Sequence, residues 1–377
     1  MKISLPLNLF YQILTHLYLY NMGIKPYKYI SPFIILIAAF FAFQNTGILT
    51  FLPVIYAFVI IPLFELFIKA DTTNLTAAEE EVAKADKTYD YILYAIVPLQ
   101  YALLVLFLFS LQQPDLTWVD ITGRIMTMGL LCGVFGINVA HELGHRNNKG
   151  EQFLAKALLL TSQYIHFFIE HNKGHHKNVA THEDPSSARF NESVFAFYPR
   201  TIICSYVSAW HIANDEMKKK NKSFWQNEML QAQVIQLSFV LAVYFLFGWK
   251  VMLFYIAAAF IGILLLECVN YIEHYGLSRN KKESGLYECA MPHHSWNSNH
   301  IIGRLMLFEL SRHSDHHYMA SRKYQILRHH NDSPQMPTGY PGMMILAHIP
   351  PLWFWVMHRK INQQKKSFDN QSTIAIS

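Results

Sequence analysis

Nine of the chain's 20 histidines fall in four short clusters: His141 and His145 in HELGH, His171, His175 and His176 in EHNKGHH, His274 in NYIEHYGL, and His313, His316 and His317 in RHSDHH. His141 and His145 are four residues apart, so on a helix both imidazoles leave the same face. That pair alone is also the H-E-x-x-H pattern of zinc proteases, with Glu142 as general base. A protease needs only one further ligand, however, and leaves two dense clusters without a purpose. Adjacent histidines on a helix diverge by about 100°, so 175/176 and 316/317 can reach two metals or two sides of one. A catalytic zinc takes about three protein ligands and a structural zinc about four, and nine donors therefore imply a two-metal site. Imidazole selects a transition metal over magnesium or calcium, with redox iron the leading candidate.

The neighbouring carboxylates Glu142, Glu170, Glu273 and Asp315 read as partners that orient metal-bound imidazoles through their distal N–H. A carboxylate-bridged di-iron bundle would show paired Glu-x-x-His motifs, and at the clusters only Glu142 with His145 has that spacing, so the first shell reads as nitrogen-rich. Among the other histidines, His166 lies on an apolar run and is expected to be buried and hydrogen-bonded. His16, His348 and His358 are expected at an interface or surface. His182, His211, His329 and His330 are expected to be solvated or supporting, and His293, His294 and His300 to support the site or a docking face. Cys132, Cys204, Cys268 and Cys289 are scattered, without a C-x-x-C pair. Neither a disulfide framework nor a cysteine-bound iron centre is implied, so electrons must come from another protein.

The elements that position these residues are hydrophobic. With 52% apolar and 15% aromatic residues, the chain has six stretches long enough to cross a bilayer core: 30–44, 48–68, 91–112, 122–140, 229–249 and 251–273. With the N-terminus placed in the cytoplasm, the external connections are about 45–47, 113–124 and 249–250. Of 31 Lys and Arg, only Arg124 and Lys250 lie in or beside them, which sets both termini inside. The fourth span then runs into His141 and the sixth into His274, putting the clusters at the cytoplasmic membrane boundary. The net charge of +5 reflects this topology and an acidic partner, and nucleic-acid binding is excluded by the spans.

Residues 3–20 read as an amphipathic interfacial segment, Glu79 to Glu81 as a solvated helix face, 151–170 as an amphipathic helix, and 177–228 as a polar insertion. A Pro-containing patch at 343–357 reads as interfacial. The expected organisation is one all-α integral-membrane domain over 1–361, six spans with a histidine-rich cytoplasmic cap, and a disordered tail over 362–377.

With these elements placed, NVAHELGHR (138–146), FFIEHNKGHHKNVAT (167–181), NYIEHYGLSR (270–279), PHHSWNSNHI (292–301), RHSDHH (312–317) and PTGYPGMM (337–344) resemble the membrane-bound alkane 1-monooxygenases, within the wider class of membrane di-iron desaturases and hydroxylases. Ser311-Arg312 and Tyr318-Met319 depart from the flanks usual in that family. The resemblance implies a di-iron site on all nine histidines, O2 as co-substrate, and terminal hydroxylation of medium- to long-chain n-alkanes to 1-alkanols. It also implies electrons from rubredoxin and an NAD(P)H-dependent rubredoxin reductase, and residence in the bacterial inner membrane. In such relatives a bulky residue about five positions before the proline of the second span stops the substrate tunnel, and Pro62 puts Ala57 at that place. A fatty-acyl desaturase or hydroxylase uses the same ligands, and an intramembrane zinc protease or a metal transporter remains the more distant alternative.

Overall fold

The computed structural model describes residues 25–221 and 223–374. The expected interfacial segment at 3–20 and Lys222 lie outside the described residues. The described chain is helical, and its extended pairings are two isolated bridges, Lys281 with Tyr287 and Asn297 with Gln335. In chain order the elements are α1 Lys25–Gln44, α2 Gly47–Glu65, α3 Ala77–Ala85, α4 Thr88–Ser110, α5 Trp118–Gly144, α6 Lys149–Thr161, α7 at 167–178 and α8 Val194–Lys219. Then come α9 Glu228–Phe247, α10 Trp249–His274, α11 Ile301–Met306, α12 His313–Tyr318, α13 Tyr340–Ala347 and α14 Pro350–Ile374.

Helices α1, α2, α4, α5, α9 and α10 are the six long and apolar enough to span a bilayer, in the places read from hydropathy. Exposed side chains such as Phe109, Phe245 and Leu246 lie on their outer faces, where lipid rather than protein must cover them. The two helices that end in metal-binding candidates, α5 and α10, touch through glycine. A Cβ on Gly129 would lie 2.5 Å from Ile261, and one on Gly262 2.5 Å from Cys132. Small residues let the backbones approach without a hydrophobic driving force between helices. At the opposite end the buried Arg124 donates to Ser110 O at 2.6 Å, and to Asn45 O and Gln113 Oε1 at 2.9 Å, tying the far connections together. Arg124 thus sits inside α5 rather than in an external loop.

Several polar segments are more ordered than their composition suggests. Thr76 and Glu79 form a reciprocal cap on α3, Glu79 also pairs with Lys25 at 2.7 Å, and Glu80 pairs with Arg328. Glu79 and Glu80 are therefore engaged rather than merely solvated. The insertion after 177 contains the 26-residue α8, whose inward stripe of Val194, Phe197, Thr201, Ser205, Ala209 and Ala213 is buried. Thr201 donates to Glu267 Oε2 at 2.8 Å and so joins α8 to α10. The patch at 343–357 is partly interior, since Met343, Trp353 and Met357 are buried. The backbone of 362–374 continues α14, so the boundary expected at 361 falls within a helix.

Candidate metal centre

Four elements deliver the nine histidines to one place. Helix α5 ends at His141 and His145, α10 ends at His274, and α12 begins at His313. Helix α7 carries His171 and His175 on a π turn, with His176 directly after it. Their nitrogens converge into two groups: His141, His145, His171, His176 and His316 in one, and His175, His274, His313 and His317 in the other. Within each group the donor atoms lie within 4.8 Å of one another. Each adjacent pair is divided between them, His175 from His176 and His316 from His317, as the angular divergence of neighbouring helical residues requires. The groups adjoin, with the His176 and His317 rings 4.5 Å apart.

The spacing is that of ligands around an ion. Nε2 atoms approach at 2.9 Å for His141 and His316, 3.1 Å for His145 and His171, and 3.1 Å for His176 and His316. In the second group the distances are 3.2 Å for His175 and His317, 3.2 Å for His274 and His313, and 2.8 Å for His313 and His317. Donors about 2.1 Å from one ion are about 3.0 Å apart at a right angle and about 3.4 Å apart at a tetrahedral angle. The observed spacings match the right angle. Burial, reinforced by neighbouring histidines, holds His145, His171, His316 and His317 well below the ordinary imidazole range, so they present neutral lone pairs.

His175 is held differently. Burial pulls its basicity down, but the Asp184 carboxylate, together with Glu170 and Glu267, more than offsets this and the net shift is upward. Asp184 lies 2.9 Å from His175 Nδ1 and accepts from Ser187 Oγ at 2.6 Å and from the Ser186 amide at 3.0 Å. This places the proton on Nδ1 and leaves the Nε2 lone pair facing the group. The sequence reading missed Asp184, which lies in the polar insertion away from any cluster. Among the expected orienting carboxylates, only Glu273 reaches a histidine of the groups, with Oε2 3.2 Å from His313 Nε2 and Oε1 accepting from Tyr340 at 2.7 Å. Glu142 instead takes Arg146 at 2.5 Å and the Tyr324 amide. Asp315 takes Arg322, the Arg328 amide and His330, and Glu170 takes Ser208 at 3.3 Å. These three carboxylates brace the scaffold, each claimed by cations or donors outside the two groups.

The remaining described histidines stand apart from both groups, and His16 lies outside the described residues. His166 is buried as expected, yet neither ring nitrogen has a hydrogen-bond partner. It packs between Tyr164 and Tyr206, and burial pushes its basicity down to about 4. His294 lies 3.3 Å from Glu288, His300 3.0 Å from Ser298 Oγ, and His329 3.0 Å from Asn299. His348 and His358 contact Tyr198 and Tyr275 at 2.9 and 3.0 Å.

Below the histidines a narrow apolar cavity runs between α1, α2, α5, α10, α11 and α13. Ala57, buried in a π turn at Tyr56–Ile60, lines it. Asn138 and Leu310 also line it, each three residues before a histidine of the groups, as does Val269, five before His274. The cavity thus approaches the metal groups from the membrane side.

Comparison with known proteins agrees with this arrangement. Residues 116–347 match the fatty acid desaturase family, which spans the last three of the four histidine-bearing segments as well as the first. An alkane 1-monooxygenase of Acinetobacter baylyi is 38% identical over 310 residues, 82% of this chain and 76% of that one. Alkane 1-monooxygenase 2 of Pseudomonas aeruginosa is 39% identical over 308 residues, 81% of this chain and 82% of that one. The chain belongs to the alkane 1-monooxygenase family. Alkane 1-monooxygenase 1 of P. aeruginosa is 46% identical over a shorter stretch, 65% of this chain and 64% of that one. In this alkane 1-monooxygenase family member the two convergent histidine groups are the features that could hold a metal, and the cavity beneath them has an apolar lining.

Proposed function

We propose that this chain hydroxylates the terminal methyl of medium- to long-chain n-alkanes, taking O2, two electrons and two protons and releasing a 1-alkanol and water. The observation that carries this reading is the apolar cavity whose inner wall lies within about a turn and a half of His141, His274 and His313. The donor set fits two irons, because five neutral imidazoles exceed what a tetrahedral zinc takes and right-angled spacing leaves open positions. Iron bound there would supply the activation of O2, which an unactivated C–H bond requires. The protein's own share is position and dryness. Helices α5 and α10 fix the ligands, Asp184 sets the His175 proton, and the cavity wall admits a methyl while offering water almost no partner.

Electrons are assigned to rubredoxin, reduced by an NAD(P)H-dependent reductase. A cleft lined by His145 of the first group also carries Arg146, Lys149, Lys156, Lys173 and Lys220, against Glu216 and Glu228. Its excess of cations suits an acidic donor, and it brings that donor to a ligand of the centre. Lys220, which follows Lys218 and Lys219 at the end of α8, lines this cleft. The distribution of Lys and Arg supports a cytoplasmic-membrane protein with the histidine end and both termini inside.

The test is reconstitution in bilayer nanodiscs with iron, rubredoxin, reductase, NADH and 18O2. One 18O atom in a 1-alkanol is expected. An acyl substrate desaturated or hydroxylated with alkanes untouched would instead favour the lipid-modifying branch of the same family. The position of Ala57 gives a second expectation. Replacing it by Trp inserts a bulky ring into the narrow cavity and should shorten the longest n-alkane accepted while sparing octane-sized chains. A chain-length profile identical to the parent's, measured with alkanes from octane to hexadecane, would remove Ala57 from the substrate path.

A further inference from the structure

The wall of the cavity is apolar except at one place. Its other lining residues are aliphatic, aromatic, methionine, glycine or proline, and Asn138 is its single polar side chain. Asn138 is 6% exposed. Its Nδ2 donates to Leu307 O at 3.1 Å, a carbonyl shared with the Leu310 amide where α11 ends and the chain turns through positive φ at Phe308 and Glu309. Among the described residues its Oδ1 accepts no hydrogen bond. The amide is therefore fixed by its Nδ2 end and brings an unused acceptor to the wall of a cavity that is otherwise apolar. Asn138 also stands three residues before His141, on the same helical face, at the end where a reacting carbon must lie.

An amide oxygen at an apolar wall gains from a hydrogen-bond donor, and an n-alkane offers it none. A primary alcohol does, through a single O–H. We propose that Asn138 Oδ1 is the acceptor for the hydroxyl of the 1-alkanol formed in this cavity, a product-recognising group on the substrate path. This rests on the alkane-hydroxylating function proposed above. The hydroxyl hydrogen points to the amide and the alkyl chain stays in the apolar channel, so the cavity distinguishes product from substrate by one hydrogen bond. A neutral hydrogen bond in such a setting contributes a net factor of about three to ten in affinity.

The experiment measures inhibition of decane hydroxylation by 1-decanol and by 1-fluorodecane, similar in size but differing in the O–H donor. Each inhibitor is expressed as a mole fraction in the nanodisc lipid. With the parent, 1-decanol should inhibit about three- to tenfold more strongly. In Asn138→Leu, with iron per chain measured alongside, that ratio should fall to about one. Equal inhibition by the two compounds in the parent overturns the proposal without any variant being needed. A ratio unchanged in an iron-loaded Asn138→Leu overturns it as well. A parent that turns over no alkane at all overturns the functional reading and this proposal with it, whereas turnover with equal inhibition overturns the Asn138 assignment alone.

Discussion

Asp184→Asn should cost about 10- to 100-fold in affinity for the ion of the four-histidine group, the range expected when a ligand's hydrogen-bond partner is removed. The substitution is nearly isosteric, and Oδ1 can still accept the Ser186 amide. The other position, however, becomes an NH2 facing His175 Nδ1, where a carboxylate oxygen now lies at 2.9 Å. Two N–H groups cannot share that contact. His175 must then move its proton to Nε2, the atom that faces His317 Nε2 at 3.2 Å, and the donor pair meant for the metal is lost. The substitution also removes a negative charge beside a centre whose ligands are otherwise neutral. Titration of the metal-free protein with Fe(II) or Co(II) reads this out independently of turnover. Two equal, unperturbed binding steps in the variant would show that Asp184 does not set the His175 tautomer.

The second large effect is expected at His274. It is one of four donors in its group and comes from the end of a single helix, so no neighbouring imidazole can replace it. His274→Ala should lower iron from two to one per chain and take alkane turnover below detection, while the five-histidine group keeps its ion. Elemental analysis of the purified variant measures the first and product chromatography the second. Full iron with full turnover would mean that the centre does not use this residue, and the division into five and four donors would have to be abandoned.

The clusters were legible because each is local. Metal donors one turn apart, or adjacent, leave a mark in a few consecutive residues, and hydropathy alone places the helices that end in them. The orienting carboxylates were less legible, since proximity in sequence misled. Glu142 sits beside His141 but is claimed by Arg146 four residues later, an i,i+4 pairing that could have been read directly. Asp184 reaches His175 through a loop whose path nothing local specifies. The long helix α8 was likewise hidden by its overall polarity, although Val194, Phe197, Thr201, Ser205, Ala209 and Ala213 repeat every three or four residues. Small and hydroxylated side chains make up much of that stripe, so hydrophobicity alone gives it little contrast.

Three π turns surround the centre and its channel: Tyr56–Ile60, Cys132–Ile137 and His171–His175. A π turn accommodates one residue more than the α-helix around it. A residue taken up there leaves the helical register on either side unchanged, whereas removing one from the regular stretch 138–140 would turn His141 and His145 by about 100° and draw them back by about 1.5 Å, away from His171 and His316. The helix would persist and the centre would lose two donors. Length, more than composition, is what 138–140 must preserve, and the wide turn before it is where α5 takes up a residue without changing which face of the helix carries the chemistry.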